Sequence, residues 1–99
     1  MKYLVSWTTR DDVPFDEVRN SLQVFSKWSP AEGSTFTEFV SRLDGKGGYA
    51  IVTSDNPTSV LRDASIFSKW FEFDVTPVSD ILEAVQAQQQ ALDFLDGAQ

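Results

Sequence analysis

Residues 44–57 read DGKGGYAIVTSDNP, and the meaning of their glycines decides the fold. A phosphate-binding loop needs a strand, then glycines, then a helix whose first amides receive the anion. Here Gly45, Gly47 and Gly48 precede an apolar strand, GYAIVTS (48–54), and no helix follows them directly. Neither GxxxxGK[ST] nor GxGxxG occurs. The helix start lies further on, at SDNP (54–57). There Asn56 or Asp55 is suited to cap and Pro57 to the first helical position. An Asp55 carboxylate also occupies the ground a phosphate would need. The glycines therefore read as a hairpin turn, where positive φ is required.

Working outward from that hairpin, the strand before it spans 35–43 (TFTEFVSRL). Simple alternation puts Phe36, Glu38, Val40 and Arg42 on one face and Thr37, Phe39, Ser41 and Leu43 on the other. Its mixed character marks an edge strand. The strand after the hairpin is apolar on both faces, so it belongs in the sheet interior. Upstream, KYLVSW (2–7) is a strand with Tyr3, Val5 and Trp7 on one face. Phe15, Val18, Leu22 and Phe25 then recur at helical spacing behind Pro14. Downstream, a helix is expected over 57–70 and a strand over 71–78 (FEFDVTPV), where Phe71, Phe73 and Val75 alternate with Glu72, Asp74 and Thr76. A last helix, capped by Ser79 or Asp80, runs from about 79 to 95. The order β-α-β-β-α-β-α predicts an α+β, ferredoxin-like βαββαβ domain over 1–99. Its four-stranded antiparallel sheet has strands 1 and 3 central, and an extra C-terminal helix follows. Right-handed crossovers put both main helices on one sheet face. The other face, carrying Leu4, needs a cover, and a second copy of the chain is the expected one.

The 99 residues contain 8 Lys+Arg against 15 Asp+Glu, a net charge of −7. Such a chain repels nucleic acid and anionic membranes. No apolar run is long enough to span a bilayer, and a cytoplasmic location is expected. Cysteine and histidine are both absent. Their absence removes thiolate chemistry, disulfides, His-based triads and His or Cys metal and haem ligation from the available residues. No acidic metal-loop spacing occurs, and no cofactor is expected.

Two constellations remain. Trp7, Trp28 and Trp70 stand near element ends, while Tyr3, Tyr49, Phe71 and Phe73 lie on strands. They serve core packing or line a cleft between sheet and helices that holds a small, flat, apolar ligand. Lys2, Ser6, Glu72, Asp74 and Thr76 form a polar face, with Lys2 beside Glu72 or Asp74 if strands 1 and 4 pair. That face is either solvated or a polar pocket in which a carboxylate acts as a base. Tyr49 and Arg42 flank the hairpin. Candidate ligand-binding residues are thus Tyr3, Trp7, Arg42, Tyr49, Trp70, Phe73 and Asp74, with no catalytic or metal-binding residue assigned.

MKYLVSW (1–7), PAEG (30–33), GGYAIVTSDNP (47–57) and FDVTPV (73–78) together resemble a family of small bacterial and phage proteins of unknown function. That family begins M-K-[YF]-L-V-x-W and belongs to the ferredoxin-like dimeric α+β barrels. The resemblance spans nearly the whole chain. It implies a homodimer whose two sheets face each other, and supplies no catalytic residues. Members often carry Trp-His after the strand-2 Arg, whereas Leu43 and Asp44 follow Arg42 here. The wider superfamily includes small-molecule sensors, haem-degrading enzymes and cofactor-independent monooxygenases. A non-catalytic module binding a small apolar ligand or a protein partner is the first expectation, and a cofactor-independent oxygenase or isomerase the second.

Overall fold

Each apolar period of the sequence becomes an element in the computed structural model, which describes residues 1–98. The order is β1 (Lys2–Thr9), α1 (Phe15–Lys27), β2 (Ser34–Ser41), β3 (Gly47–Ser54), α2 (Pro57–Ile66), β4 (Phe71–Val78) and α3 (Ile81–Ala98). The strands form one antiparallel sheet ordered β2-β3-β1-β4. The fold is ferredoxin-like with an extra C-terminal helix. β1 and β3 are central, as the split βαβ order requires.

The glycine cluster is a hairpin turn. The Arg42 N–H donates to the Gly47 carbonyl at 2.8 Å and the Gly45 N–H to the Arg42 carbonyl at 3.1 Å. Gly45 has φ 74°, which a glycine adopts without strain. Gly48 has a different task. It lies opposite Trp7 in the β1–β3 register. A Cβ on Gly48 would lie 2.4 Å from the Trp7 ring and 2.3 Å from the Val40 carbonyl oxygen. The missing side chain lets the indole lie across the neighbouring strand. At the helix start Asn56, not Asp55, is the cap, its side chain accepting from the Thr58 N–H at 3.1 Å.

Tyr3, Val5 and Trp7 share the helix-facing side with Ala50, Val52 and Phe73. Val60 of α2 closes over them. Val52 is almost fully buried, and burial of a side chain this size contributes about 1.5–3 kcal/mol.

Four details depart from the sequence reading. A β-bulge between Phe36 and Glu38 breaks the alternation of β2. The extra residue turns Phe39 to the same side as Phe36, opposite Ala50, and leaves Glu38 and Val40 on the other. β1 and β4 do pair, but antiparallel, so Lys2 lies opposite Val78 while Glu72 and Asp74 lie opposite Thr8 and Ser6. Lys2 pairs with Asp80, and Arg10 with Glu72 at 3.5 Å. α2 ends at Ile66, with turns carrying the chain to Trp70, and α3 spans Ile81–Ala98 rather than 79–95. Finally, the α1 stripe is not sealed against the sheet. Phe15 is 89% and Leu22 64% exposed, and Ser21 is the buried residue of this helix.

Candidate functional site

Helices that do not seal against a sheet leave space. Between the sheet and the pair α1, α2 lies a cavity of about 430 Å³. Its floor is made of small side chains, Val5, Ala50 and Val52, and on α1 the inward residue is Ser21. Its walls are rings too rigid to collapse into the gap. Trp28, just beyond α1, meets Phe36 at 5.5 Å, Phe67 at 5.7 Å and Phe39 at 6.3 Å between centroids, each close to perpendicular. Trp7 meets Phe39 edge-on at 5.5 Å, and Phe25 completes the cluster 5.8 Å from both Trp28 and Phe39. Edge-to-face rings hold one another in place.

Asp63 of α2 fixes this arrangement. It is buried, and it accepts from the Trp28 indole N–H at 3.2 Å, the Ala31 N–H at 3.1 Å and the Arg62 guanidinium at 2.7 Å. Both oxygens are occupied, so the carboxylate orients Trp28 and ties the turn after α1 to α2. The Ser21 hydroxyl donates to the Val18 carbonyl at 2.6 Å. The Asp63 carboxylate and the Ser21 and Ser41 hydroxyls are thereby engaged, and what faces the cavity is mostly hydrocarbon.

Of the residues singled out by sequence, Trp7 and Phe73 line the cavity. Tyr3 belongs to the buried core beside it, and Trp70 is buried with Lys69 5.7 Å from its ring. Tyr49 and Asp74 lie on the opposite, open sheet face. Arg42 is paired with Asp44 at the hairpin, where Arg10, Lys46 and Glu72 line a smaller polar recess of about 380 Å³. The seven therefore do not form one site. The sequence reading left out Phe25, Phe36, Phe39, Phe67 and Asp63, and placed Trp28 among the aromatics without assigning it to the site. The Phe-Thr-Glu-Phe spacing at 36–39 was the available signal, because two Phe three apart share a strand face only across a bulge.

Two carboxylates, half-buried Glu17 and exposed Asp44, are held low. Hydrogen bonds from Asn20 and Lys69 hold Glu17 below the usual carboxylate range, and the Lys46 backbone N–H and Arg42 do the same for Asp44. Among the described residues no acidic cluster is arranged to hold a metal ion, and no helix is long and apolar enough to cross a membrane.

These features define a ferredoxin-like α+β protein with an aromatic cleft between sheet and helices. The model of one family, "Domain of unknown function (DUF3303)", matches residues 1–92, and the chain belongs to that family. Comparison with curated proteins and with solved structures gives no match.

Proposed function

We propose that this protein is a non-catalytic module that holds a small apolar or aromatic molecule in the cleft between its sheet and its two main helices. The observation that carries this reading is the cavity of about 430 Å³ walled by Trp7, Phe25, Trp28, Phe36, Phe39 and Phe67. The volume is that of a small-molecule site, roughly 300–1,000 Å³. With Ser21 and Asp63 already hydrogen-bonded, a ligand rich in polar groups would lose its water and gain no partner. Flat, apolar molecules suit rings presented edge and face. Homodimerisation, expected from the open sheet face, is part of the proposal.

The enzyme reading of the dimeric α+β barrel type needs a free carboxylate beside an aromatic cavity. Glu72 and Asp74 are exposed on the other side of the sheet, and the carboxylate that does border the cavity, Asp63, has its oxygens occupied. The geometry favours binding over proton transfer.

Thermal shift with small aromatics such as indole, naphthalene and toluene, followed by tryptophan emission, tests the reading. A ligand at one hundred times its Kd stabilises by about 2.7 kcal/mol, which raises Tm by about 11–22 °C in a domain of this size. A flat response in both signals across the whole set would contradict it.

A further inference from the structure

The few polar atoms at the cavity wall have a common sense. A hydroxyl has one hydrogen to donate and two lone pairs with which to accept. Ser21 gives its hydrogen to the Val18 carbonyl at 2.6 Å, and Ser41 gives its own to the Arg42 carbonyl at 3.1 Å or the Gly47 carbonyl at 3.4 Å. Both keep lone pairs, so each acts as an acceptor only. The Trp28 N–H is held by Asp63 at 3.2 Å. Among the described residues the one buried side-chain nitrogen or oxygen without a partner is Trp70 Nε1, and Trp70 does not line the cavity. The ring of Trp7 is half-buried, and its N–H is open to water. No Lys or Arg lines the cavity, and the one charged residue that does is Asp63. Aromatic faces are themselves negative. What the wall still offers a ligand is thus electron-rich.

We propose that the cleft selects small aromatic N–H compounds (indoles, pyrroles or anilines) and that the Ser21 hydroxyl oxygen receives their N–H. This rests on the cavity reading above and adds the polarity of the ligand to it. Ser21 is the inward residue of α1 and only 3% exposed, so water competes little for its lone pairs. Its bond to Val18 polarises the hydroxyl and makes the oxygen a better acceptor. Alanine would leave the same opening and suits a helix better, so keeping the cleft open does not itself call for a hydroxyl. In an aromatic N–H compound the nitrogen lone pair is drawn into the ring and asks for no donor. A pyridine-type nitrogen or a carbonyl does ask for one, and would give up its water without finding an inward N–H. A carboxylate would in addition meet the Asp63 charge with no cation in the lining to answer it.

Two matched pairs test this by isothermal titration calorimetry on wild type and Ser21→Ala. Indole and 1-benzothiophene share a shape, with sulfur in place of the N–H. Quinoline and naphthalene share another, with an acceptor nitrogen in one of them. The members of each pair differ in hydrophobicity, so the quantity read is how the ratio of their Kd values changes on Ser21→Ala. One neutral hydrogen bond corresponds to roughly 2- to 12-fold in Kd. Indole is expected to lose that factor relative to 1-benzothiophene, whose own Kd stays put. The quinoline-to-naphthalene ratio should not change, and quinoline should bind no tighter than naphthalene. An indole ratio unmoved by Ser21→Ala, an equal weakening of all four compounds, or quinoline tighter than naphthalene would each overturn the proposal while leaving an aromatic cleft in place. Failure of all four to bind the wild type would overturn the cavity reading and this proposal with it.

Discussion

Replacing Asp63 by Ala removes the acceptor on which the turn after α1 is hung. Two donors lose their partner inside the protein: the Trp28 indole N–H, bonded at 3.2 Å, and the Ala31 N–H, bonded at 3.1 Å. An unsatisfied buried donor costs about 1–3 kcal/mol. Both residues are half-buried, so water reaches them in part and the lower half of that range applies. The Arg62 contribution is left out, because that side chain is largely exposed. The expected loss is about 3 kcal/mol, or about 12–24 °C in Tm for a domain of this size. Asp63→Asn keeps one acceptor oxygen but turns an amide N–H₂ toward the other donor, so about half the loss is expected. Urea unfolding followed by tryptophan fluorescence measures both variants. Trp28 should also emit further to the red in Asp63→Ala, since the ring is no longer held against Phe36 and Phe67. Stability of Asp63→Ala within about 0.5 kcal/mol of wild type, the scatter of ordinary surface changes, would refute the anchoring role.

Ser21→Leu should fill the cavity from the α1 side. It is expected to raise stability by about 1 kcal/mol while abolishing any Tm shift from small aromatics. Gly48→Ala should cost about 1–3 kcal/mol by overpacking, because its Cβ meets both the Trp7 ring and the Val40 carbonyl. Asn56→Ala should cost about 1 kcal/mol, the worth of a lost helix cap, read from the urea midpoint. Glu17 and Asp44 have depressed pKa values in the fold, so their contribution is complete above the ordinary carboxylate range and is lost as pH falls through their folded values. Carboxyl NMR titration of Lys69→Ala should show Glu17 moving upward toward the ordinary range, with Asp44 unmoved.

The element order was legible because alternation in KYLVSW, GYAIVTS and FEFDVTPV and helical spacing after Pro14 and Pro57 are local properties of the chain. The central place of β3 followed from its apolar residues on both faces, and that of β1 from the crossovers of the βαββαβ order. The faces of β2 were misread because a bulge inserts one residue without changing composition. The cavity was not legible from spacing either. Its walls come from β1, α1 and the turn after it, β2 and the segment after α2, and Trp28 is tied to a carboxylate 35 residues away. Periodicity tells which side of α1 is apolar, but not how closely that side approaches the sheet. It is the small residues Ser21 and Ala50 that keep the approach open, whereas the space left by Gly48 is taken by the Trp7 ring, and a small residue in a sequence does not reveal which of these holds.

Amide NMR of the labelled chain titrated with indole examines the cleft most directly. Binding between sheet and helices predicts shifts concentrated at Val5, Ala50, Val52, Val60 and Ala64, with Thr53 and Thr76 on the far face unmoved. Unperturbed spectra at saturating indole, or shifts confined to the open face, would contradict a binding cleft there.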